Sequence, residues 1–196
     1  WEGAFNGVPP FDEVELAHFK PAFEAAMAEN LAEIDSITAS TDAPTFANTI
    51  EQLERSGNTL DRVQRVFGIW ASTMNSADFQ PIEREMSPLL AAFSDKITQN
   101  EKLFRRIEAV YSAPEKSKLT PEQQRLTWLY YTNFVRAGAK LDATSKARLS
   151  QINQQLAKLF TSFRQNLLAD ETEQFITIEY EHDLEGVPSS LIDAAS

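Results

Sequence analysis

Apolar side chains recur at intervals of three and four residues along most of this chain, and that spacing limits it to a mainly helical fold. The clearest case is residues 142–169, where one stripe is formed by Leu149, Ile152, Leu156, Leu159, Phe160, Phe163 and Leu167. The other side is polar, with Gln151, Gln154, Gln155, Lys158, Ser162 and Gln165. The spacing therefore predicts a long amphipathic helix over this segment.

Helix signals also occupy the earlier parts of the chain. Residues 46–74 predict one long helix, or two with a break at Ser56 and Gly57, that begins after Thr45 as N-cap. The sequence TPEQ at 120–123 combines an N-cap, a proline at the first helical position and a capping-box glutamine, and this helix is expected to end near Gly138. Three further helices are predicted around residues 20–39, 79–99 and 101–112. Short connections between them predict an all-α, multi-helix antiparallel bundle.

The last part of the chain departs from this pattern. Residues 175–181 alternate, with Ile176, Ile178 and Tyr180 on one face and Thr177 and Glu179 on the other, which predicts one short strand. The sequence offers no second strand to pair with it, and a helix that begins near Ser189 stops after about two turns. We therefore expect a helical N-terminal domain over residues 1–170, with residues 171–196 leading into a missing remainder.

Composition excludes several functional classes. The 196 residues include no Cys, so disulfide frameworks, thiolate zinc sites, iron–sulfur clusters and cysteine nucleophiles are excluded. The formal net charge is −11, with acidic ends and a mildly basic middle, which argues against nucleic acid as a partner. The longest apolar runs are too short to span a bilayer, so no membrane partner is predicted.

The small number of histidines limits the catalytic or metal-binding sites that this chain could form. The chain has only His18 and His182, and it has no H-E-x-x-H, G-x-S-x-G or Walker sequence. Both histidines follow a glutamate by three residues, as Glu15 with His18 and Glu179 with His182, which is the spacing used in di-iron helical bundles. The favoured interpretation is four surface side chains, because one pair precedes Pro21 and the other lies in the predicted strand.

Other polar and aromatic groups have structural interpretations. The aromatic side chains at helical spacing are predicted to be core residues: Trp128, Tyr130, Tyr131, Phe134, Phe160 and Phe163. Four arginines are predicted to lie on solvated faces or in ion pairs with adjacent helices: Arg62, Arg65, Arg105 and Arg106. Three asparagines are candidates for backbone hydrogen bonds between helices or for the surface: Asn48, Asn153 and Asn166.

A series of short motifs resembles a known family. In order along the chain they are GVPPF at 7–11, HFKPAF at 18–23, PTFANTIEQLERSG at 44–57, FVRAGA at 134–139, QIN at 151–153, QNLLA at 165–169 and DLEGVP at 183–188. Together they resemble the N-terminal region of the thimet oligopeptidase-like zinc metallopeptidases, and most of all the bacterial peptidyl-dipeptidases. The resemblance covers nearly the whole chain.

This resemblance implies a large, two-lobed helical enzyme that releases dipeptides from the C-terminus of short peptides. Its zinc would be held by an H-E-x-x-H helix and a later Glu, several hundred positions beyond this sequence. The chain itself is then expected to be inactive, with no catalytic or metal residue, and to form part of the substrate-channel wall through residues that the motifs do not identify. Its partners would be short peptides and the catalytic region.

A free-standing helical interaction or sensor domain without catalysis is the alternative interpretation. The cytoplasm is the expected compartment, with the periplasm, after removal of a signal peptide, as the second choice. The sequence begins at Trp1 rather than Met, which is why the second choice stays open.

Overall fold

Helices make up most of the fold, which a computed structural model describes for residues 8–174, 178 and 180–195. The α-helices are α1 (Leu16–Ala39), α2 (Glu51–Arg55), α3 (Asn58–Thr73), α4 (Phe79–Thr98), α5 (Glu101–Ser112), α6 (Pro121–Arg136), α7 (Ala143–Glu173) and α8 (Ser189–Ala195). A π-helical turn (Phe46–Ile50) runs directly into α2, and 3₁₀ turns occupy Pro114–Lys118 and Glu181–Leu184. The predicted all-α bundle is confirmed.

The chain divides into two compact units, one up to Thr161 and one from Ser162 onward, with the division inside α7. In the described part of the chain, none of the helices is both long and apolar enough to cross a membrane.

The predicted strand over residues 175–181 is not seen. Of its positions, Ile178 has no regular structure, Tyr180 lies in a bend and Glu181 begins a 3₁₀ turn. Phe175, Ile176, Thr177 and Glu179 lie outside the described residues. Alternation between apolar and polar residues favours a strand only where a neighbouring strand can accept its hydrogen bonds, and the described residues contain no strand.

Local capping chemistry sets several helix boundaries. The Thr45 hydroxyl accepts a hydrogen bond from the Asn48 backbone N–H at 3.2 Å, which confirms Thr45 as an N-cap. At α6 the Thr120 hydroxyl accepts from the Gln123 backbone N–H at 3.3 Å, and the Gln123 side chain accepts from the Thr120 N–H at 3.1 Å. α1 begins at Leu16, four residues earlier than predicted, and Pro21 therefore lies inside this helix.

The break between α2 and α3 depends on Gly57. This residue has φ of 77°, in the left-handed region that side chains with a Cβ rarely adopt, so the segment forms two helices rather than one. Its N–H donates to Glu33 Oε2 of α1 at 2.7 Å, and a Cβ at this position would lie 3.3 Å from the Asn30 side chain. The turn is thereby fixed against α1.

Two hydrophobic clusters form the core, and α1 contributes to both. Its first half supplies Phe19, Phe23 and Ala26 to a cluster with α3 and α4, where Phe19 meets Phe67 edge-to-face at 5.2 Å. Its second half supplies Ile34 and Ile37 to a cluster with the π-helical turn, α2, α5 and α6.

The aromatic side chains predicted for the core have mixed positions. Phe134 is buried, whereas Tyr130 and Tyr131 are only half-buried and Trp128 is exposed beneath the Arg125 guanidinium, 4.2 Å from its ring. The core prediction is wrong for Trp128 and for two α7 residues, Phe160 and Phe163, which are 63% and 65% exposed. A helical apolar stripe identifies a face that avoids water, but it does not specify which body covers that face.

We predict that Gly57→Ala lowers the free energy of unfolding by about 1–2 kcal/mol, because alanine resists a left-handed backbone. The matched control is Gly68→Ala in α3, where an added Cβ meets nothing within 4 Å. That control should raise the free energy of unfolding by about 0.5–1 kcal/mol, the usual gain for alanine inside a helix. Urea denaturation followed by circular dichroism measures both values, and equal effects of the two substitutions would contradict this account of the turn.

Candidate functional site

The first predicted histidine pair lies at the start of α1. Glu15 is the N-cap residue, and its backbone N–H donates to Nδ1 of His18 at 3.1 Å. The His18 N–H in turn lies 3.0 Å from the Glu15 carbonyl oxygen. Both residues are exposed. The Glu-x-x-His spacing therefore serves to cap this helix, since the imidazole nitrogen accepts a donor that a helix start leaves without an intrahelical partner.

The second pair is only partly described. His182 lies in the 3₁₀ turn, where its Nε2 is 3.1 Å from Asp183 Oδ1 and its ring stacks on Tyr180 at 5.4 Å. Glu179 lies outside the described residues. Over the described ranges, no three His, Cys, Asp or Glu side chains come together as a group able to hold a metal ion.

Arg106 forms a buried polar cluster that ties α5 to the loop after α1. Its Nη1 donates to the carbonyl oxygens of Ser40 and Asp42, both at 3.1 Å, and its Nη2 donates to Asn48 Oδ1 at 3.0 Å. The same Asn48 oxygen accepts from the Thr45 N–H at 2.8 Å. One buried guanidinium thus fixes both the loop and the π-helical turn.

The prediction that Arg106 is solvated or ion-paired is wrong, because its side chain is buried and its partners are carbonyl and amide oxygens. A signal in the sequence was available: Arg106 falls on the same helical face as Leu103, Ile107 and Val110, which are all buried. Its neighbour Arg105 is exposed and pairs with Glu101 one turn away. Asn48 does bond backbone, through Nδ2 to the Ala43 carbonyl at 2.9 Å.

A second polar cluster surrounds Lys140, after α6. Lys140 Nζ donates to the Tyr131 hydroxyl at 2.9 Å and lies 3.0 Å from Glu108 Oε1. The hydrogen bond that Lys140 donates to the Tyr131 hydroxyl, and then the one that it donates to the Glu108 carboxylate, raise the pKa of Lys140. The Tyr131 ring stacks on Tyr111 at 4.0 Å, and Phe104, Glu108 and Lys140 line a cleft of about 740 Å³.

A polar seam joins α7 to α4. Asn153 Nδ2 donates to Asp95 Oδ1 at 2.7 Å, and the Thr161 hydroxyl donates to the Ser87 hydroxyl at 2.8 Å. Asp95 and Thr161 are buried. Asn153 therefore makes the interhelical bond considered for it, although to a side chain rather than to backbone. Asn166 is exposed. This part of α7 packs through hydrogen bonds rather than through its apolar stripe.

These clusters hold helices together and present no nucleophile aligned with a base among the described residues; neither histidine contacts a serine or threonine hydroxyl there. The geometry supports a structural role for each cluster.

Comparison with known proteins gives the decisive observation. Over 188 residues, or 95% of its length, the chain is 35% identical to a dipeptidyl carboxypeptidase of Salmonella typhimurium. Over 161 residues, or 82% of its length, it is 37% identical to the dipeptidyl carboxypeptidase of Escherichia coli. An organellar oligopeptidase A of Arabidopsis thaliana is 27% identical over 188 residues, or 94% of the chain. No family model matches.

The chain is a homologue of these peptidases. The family resemblance predicted from the motifs is thereby confirmed. The chain spans about a quarter of the length of the relatives that it matches, with 28%, 24% and 23% of the three proteins covered.

We predict that Arg106→Ala lowers the free energy of unfolding by about 2–3 kcal/mol, because hydrogen bonds from a charged donor are lost and their acceptors remain behind. The matched control is Arg105→Ala, whose exposed ion pair contributes less than about 1 kcal/mol. Denaturant melts of the two variants measure the difference. Equal destabilisation would show that Arg106 does not hold the loop.

A pH prediction follows from Tyr130, whose hydroxyl donates to Glu54 Oε2 of α2 at 2.6 Å. Burial, followed by the hydrogen bond and the charge of Glu54, raises the pKa of Tyr130 well above its ordinary value of about 10. Because the folded pKa is raised, this contribution to stability is complete below pH 10 and is lost progressively as the pH rises above 10.

The Tyr130→Phe variant should therefore be less stable than the parent chain at pH 8, and the difference should shrink above pH 10. Urea midpoints of both proteins at pH 8, 9, 10 and 11 test this. Because the parent chain and the variant have the same lysines, the effect of lysine titration on stability cancels in the difference between them. A constant difference across this range would contradict the assignment.

Proposed function

We propose that this chain is the N-terminal helical segment of a zinc metallopeptidase of the peptidyl-dipeptidase type, which releases C-terminal dipeptides from oligopeptides. The observation that carries the proposal is the 35–37% identity to two proteins named dipeptidyl carboxypeptidase. Identity to the oligopeptidase A relative is lower, at 27%, which favours the dipeptidyl carboxypeptidase type over the oligopeptidase A type. The chain covers about a quarter of each relative, which supports a segment rather than a whole enzyme.

We place the zinc outside this chain. A catalytic zinc site takes three protein ligands, which are His, Cys or carboxylate groups, and leaves one position open for water. The donor set supports this placement: the chain has no Cys, His18 and His182 lie in separate contacts with Glu15 and Asp183, and no three His, Asp or Glu side chains of the described residues form a group able to hold a metal ion. The residues that the structure describes therefore offer no set of zinc ligands, and no catalytic step is assigned to them.

The contribution of the segment would be mechanical. Residues 1–170 are proposed as a helical domain that forms part of the substrate-channel wall, and residues 171–196 as the passage into the catalytic region. Rigid anchoring supports this role: Arg106, Gly57 and Tyr130 each tie one element to another through bonds of 2.6–3.1 Å. A wall that admits extended peptides has to keep its shape while they pass.

We predict that the full-length polypeptide releases the C-terminal dipeptide from an N-acylated tetrapeptide, and that it contains about one zinc ion per chain. The purified 196-residue chain should release no dipeptide and bind no stoichiometric zinc. Mass spectrometry identifies the products, and elemental analysis measures zinc. A tetrapeptide with an amidated C-terminus is the matched control, because it removes the carboxylate that dipeptide release requires.

Activity with stoichiometric zinc in the isolated chain would overturn the placement of the zinc. An inactive full-length polypeptide would favour the alternative, a helical interaction or sensor domain. The channel-wall role is tested separately with a peptide that carries a photoreactive group. Crosslinks to residues within 1–170 of the full-length protein support the wall, and crosslinks confined to the remainder contradict it.

A further inference from the structure

The middle of α7 has three distinct faces. Its first face is the polar seam toward α4, which includes Asn153 and Thr161. Its second face is polar and exposed, and it carries Gln151, Gln155 and Lys158. Its third face is apolar and exposed, and we call it the outer stripe: Ile152, Leu156, Leu159 and Phe160.

The outer stripe is too apolar for a surface that normally meets water. Leu159 and Phe160 are 66% and 63% exposed, although the same helix already has a separate polar face for solvent. Scattered apolar side chains are common on surfaces, but a contiguous group of four large ones indicates an interaction site. The polar seam prevents the helix from turning this stripe inward, because rotation would break the Asp95 and Ser87 hydrogen bonds.

The chemistry of the stripe specifies its occupant. The positions follow the spacing i, i+4, i+7 and i+8, which is the spacing of a helix that packs against another helix. Lys158 is the one charged residue between Leu149 and Thr161, so the surface offers little to an anionic or cationic ligand. An uncharged, apolar helical face is therefore the complementary partner.

We propose that the outer stripe is the docking surface for the remainder of the same polypeptide, through an apolar helical face of the catalytic portion. The relatives supply the reason to choose this occupant: about three quarters of their length lies outside the segment that this chain matches. A segment of that size has to pack against this one to form a single enzyme, and the outer stripe is available for that contact. The inference rests on the proposed function, since it needs the chain to be part of a longer peptidase.

The absence of Cys makes a direct test available. A single Cys is placed by Phe160→Cys in the outer stripe, or by Lys158→Cys on the polar exposed face as matched control, two residues away. The rate of reaction with a maleimide is measured in the 196-residue chain and in the full-length polypeptide with its other cysteines replaced. Sedimentation of the 196-residue chain is recorded at each concentration used.

In the 196-residue chain both cysteines should react at similar rates. In the full-length polypeptide the cysteine at 160 should react at least about tenfold more slowly, while the cysteine at 158 keeps its rate. Equal reactivity of the two positions in the full-length polypeptide overturns the proposal. Protection at 160 that already appears in the isolated chain, and grows with its concentration as dimers form, also overturns it in favour of a second copy.

A second pair of variants covers the case in which the cysteine disturbs folding. Leu159→Ser should leave the melting temperature of the 196-residue chain nearly unchanged, but it should lower that of the full-length polypeptide. Gln155→Ser should change neither. A Leu159→Ser effect that is equal in the two proteins contradicts docking. Peptidase activity is recorded in parallel, so protection without activity counts against the proposed function alone, and activity without protection counts against the docking surface alone.

Discussion

The fold depends on the burial of α1 in two hydrophobic clusters at once. Phe19 and Phe23 belong to the cluster with α3 and α4, whereas Ile34 and Ile37 belong to the cluster with α2, α5 and α6. Because a helix is a stiff rod, these two contacts fix the clusters relative to each other. The Gly57 turn and the Arg106 cluster then hold the remaining connections against this frame.

The contact between α7 and α4 has a different physical basis. Asp95 and Thr161 are buried and hydrogen-bonded. Because burying a polar group costs free energy unless it forms a hydrogen bond, the polar seam is stable only at the rotation of α7 that brings these partners together. An apolar contact would restrict that rotation less, because hydrophobic burial depends less on orientation than a hydrogen bond does. The consequence is a helix whose outer stripe stays exposed, with Leu159 66% and Phe160 63% exposed.

Helix boundaries that depend on local hydrogen bonds could be predicted from the sequence, whereas the burial of individual side chains by tertiary packing could not. The Thr45 and Thr120 caps depend on residues within one turn, so the sequence located both helix starts. Phe160 lies on an apolar helical stripe and yet is 63% exposed, because periodicity alone does not reveal whether a second body covers the stripe. Arg105 and Arg106 are chemically identical neighbours, and only their angle around α5 makes one exposed and the other buried.

The family was likewise accessible from short ordered motifs, whereas the candidate site was not. The polar clusters that the structure describes hold helices together, and the sequence patterns of such clusters do not differ from those of ordinary helical packing. The Glu15–His18 pair illustrates this point, because a spacing that could bind metal instead caps a helix.

The most direct test of the central claim, that this chain is one segment of a larger folded enzyme, is amide hydrogen exchange on both the 196-residue chain and the full-length polypeptide. The account predicts slower exchange across residues 152–160 of α7 in the full-length polypeptide, with unchanged exchange in α5, whose buried face is already covered by this chain. Identical exchange in α7 in the two proteins would contradict it.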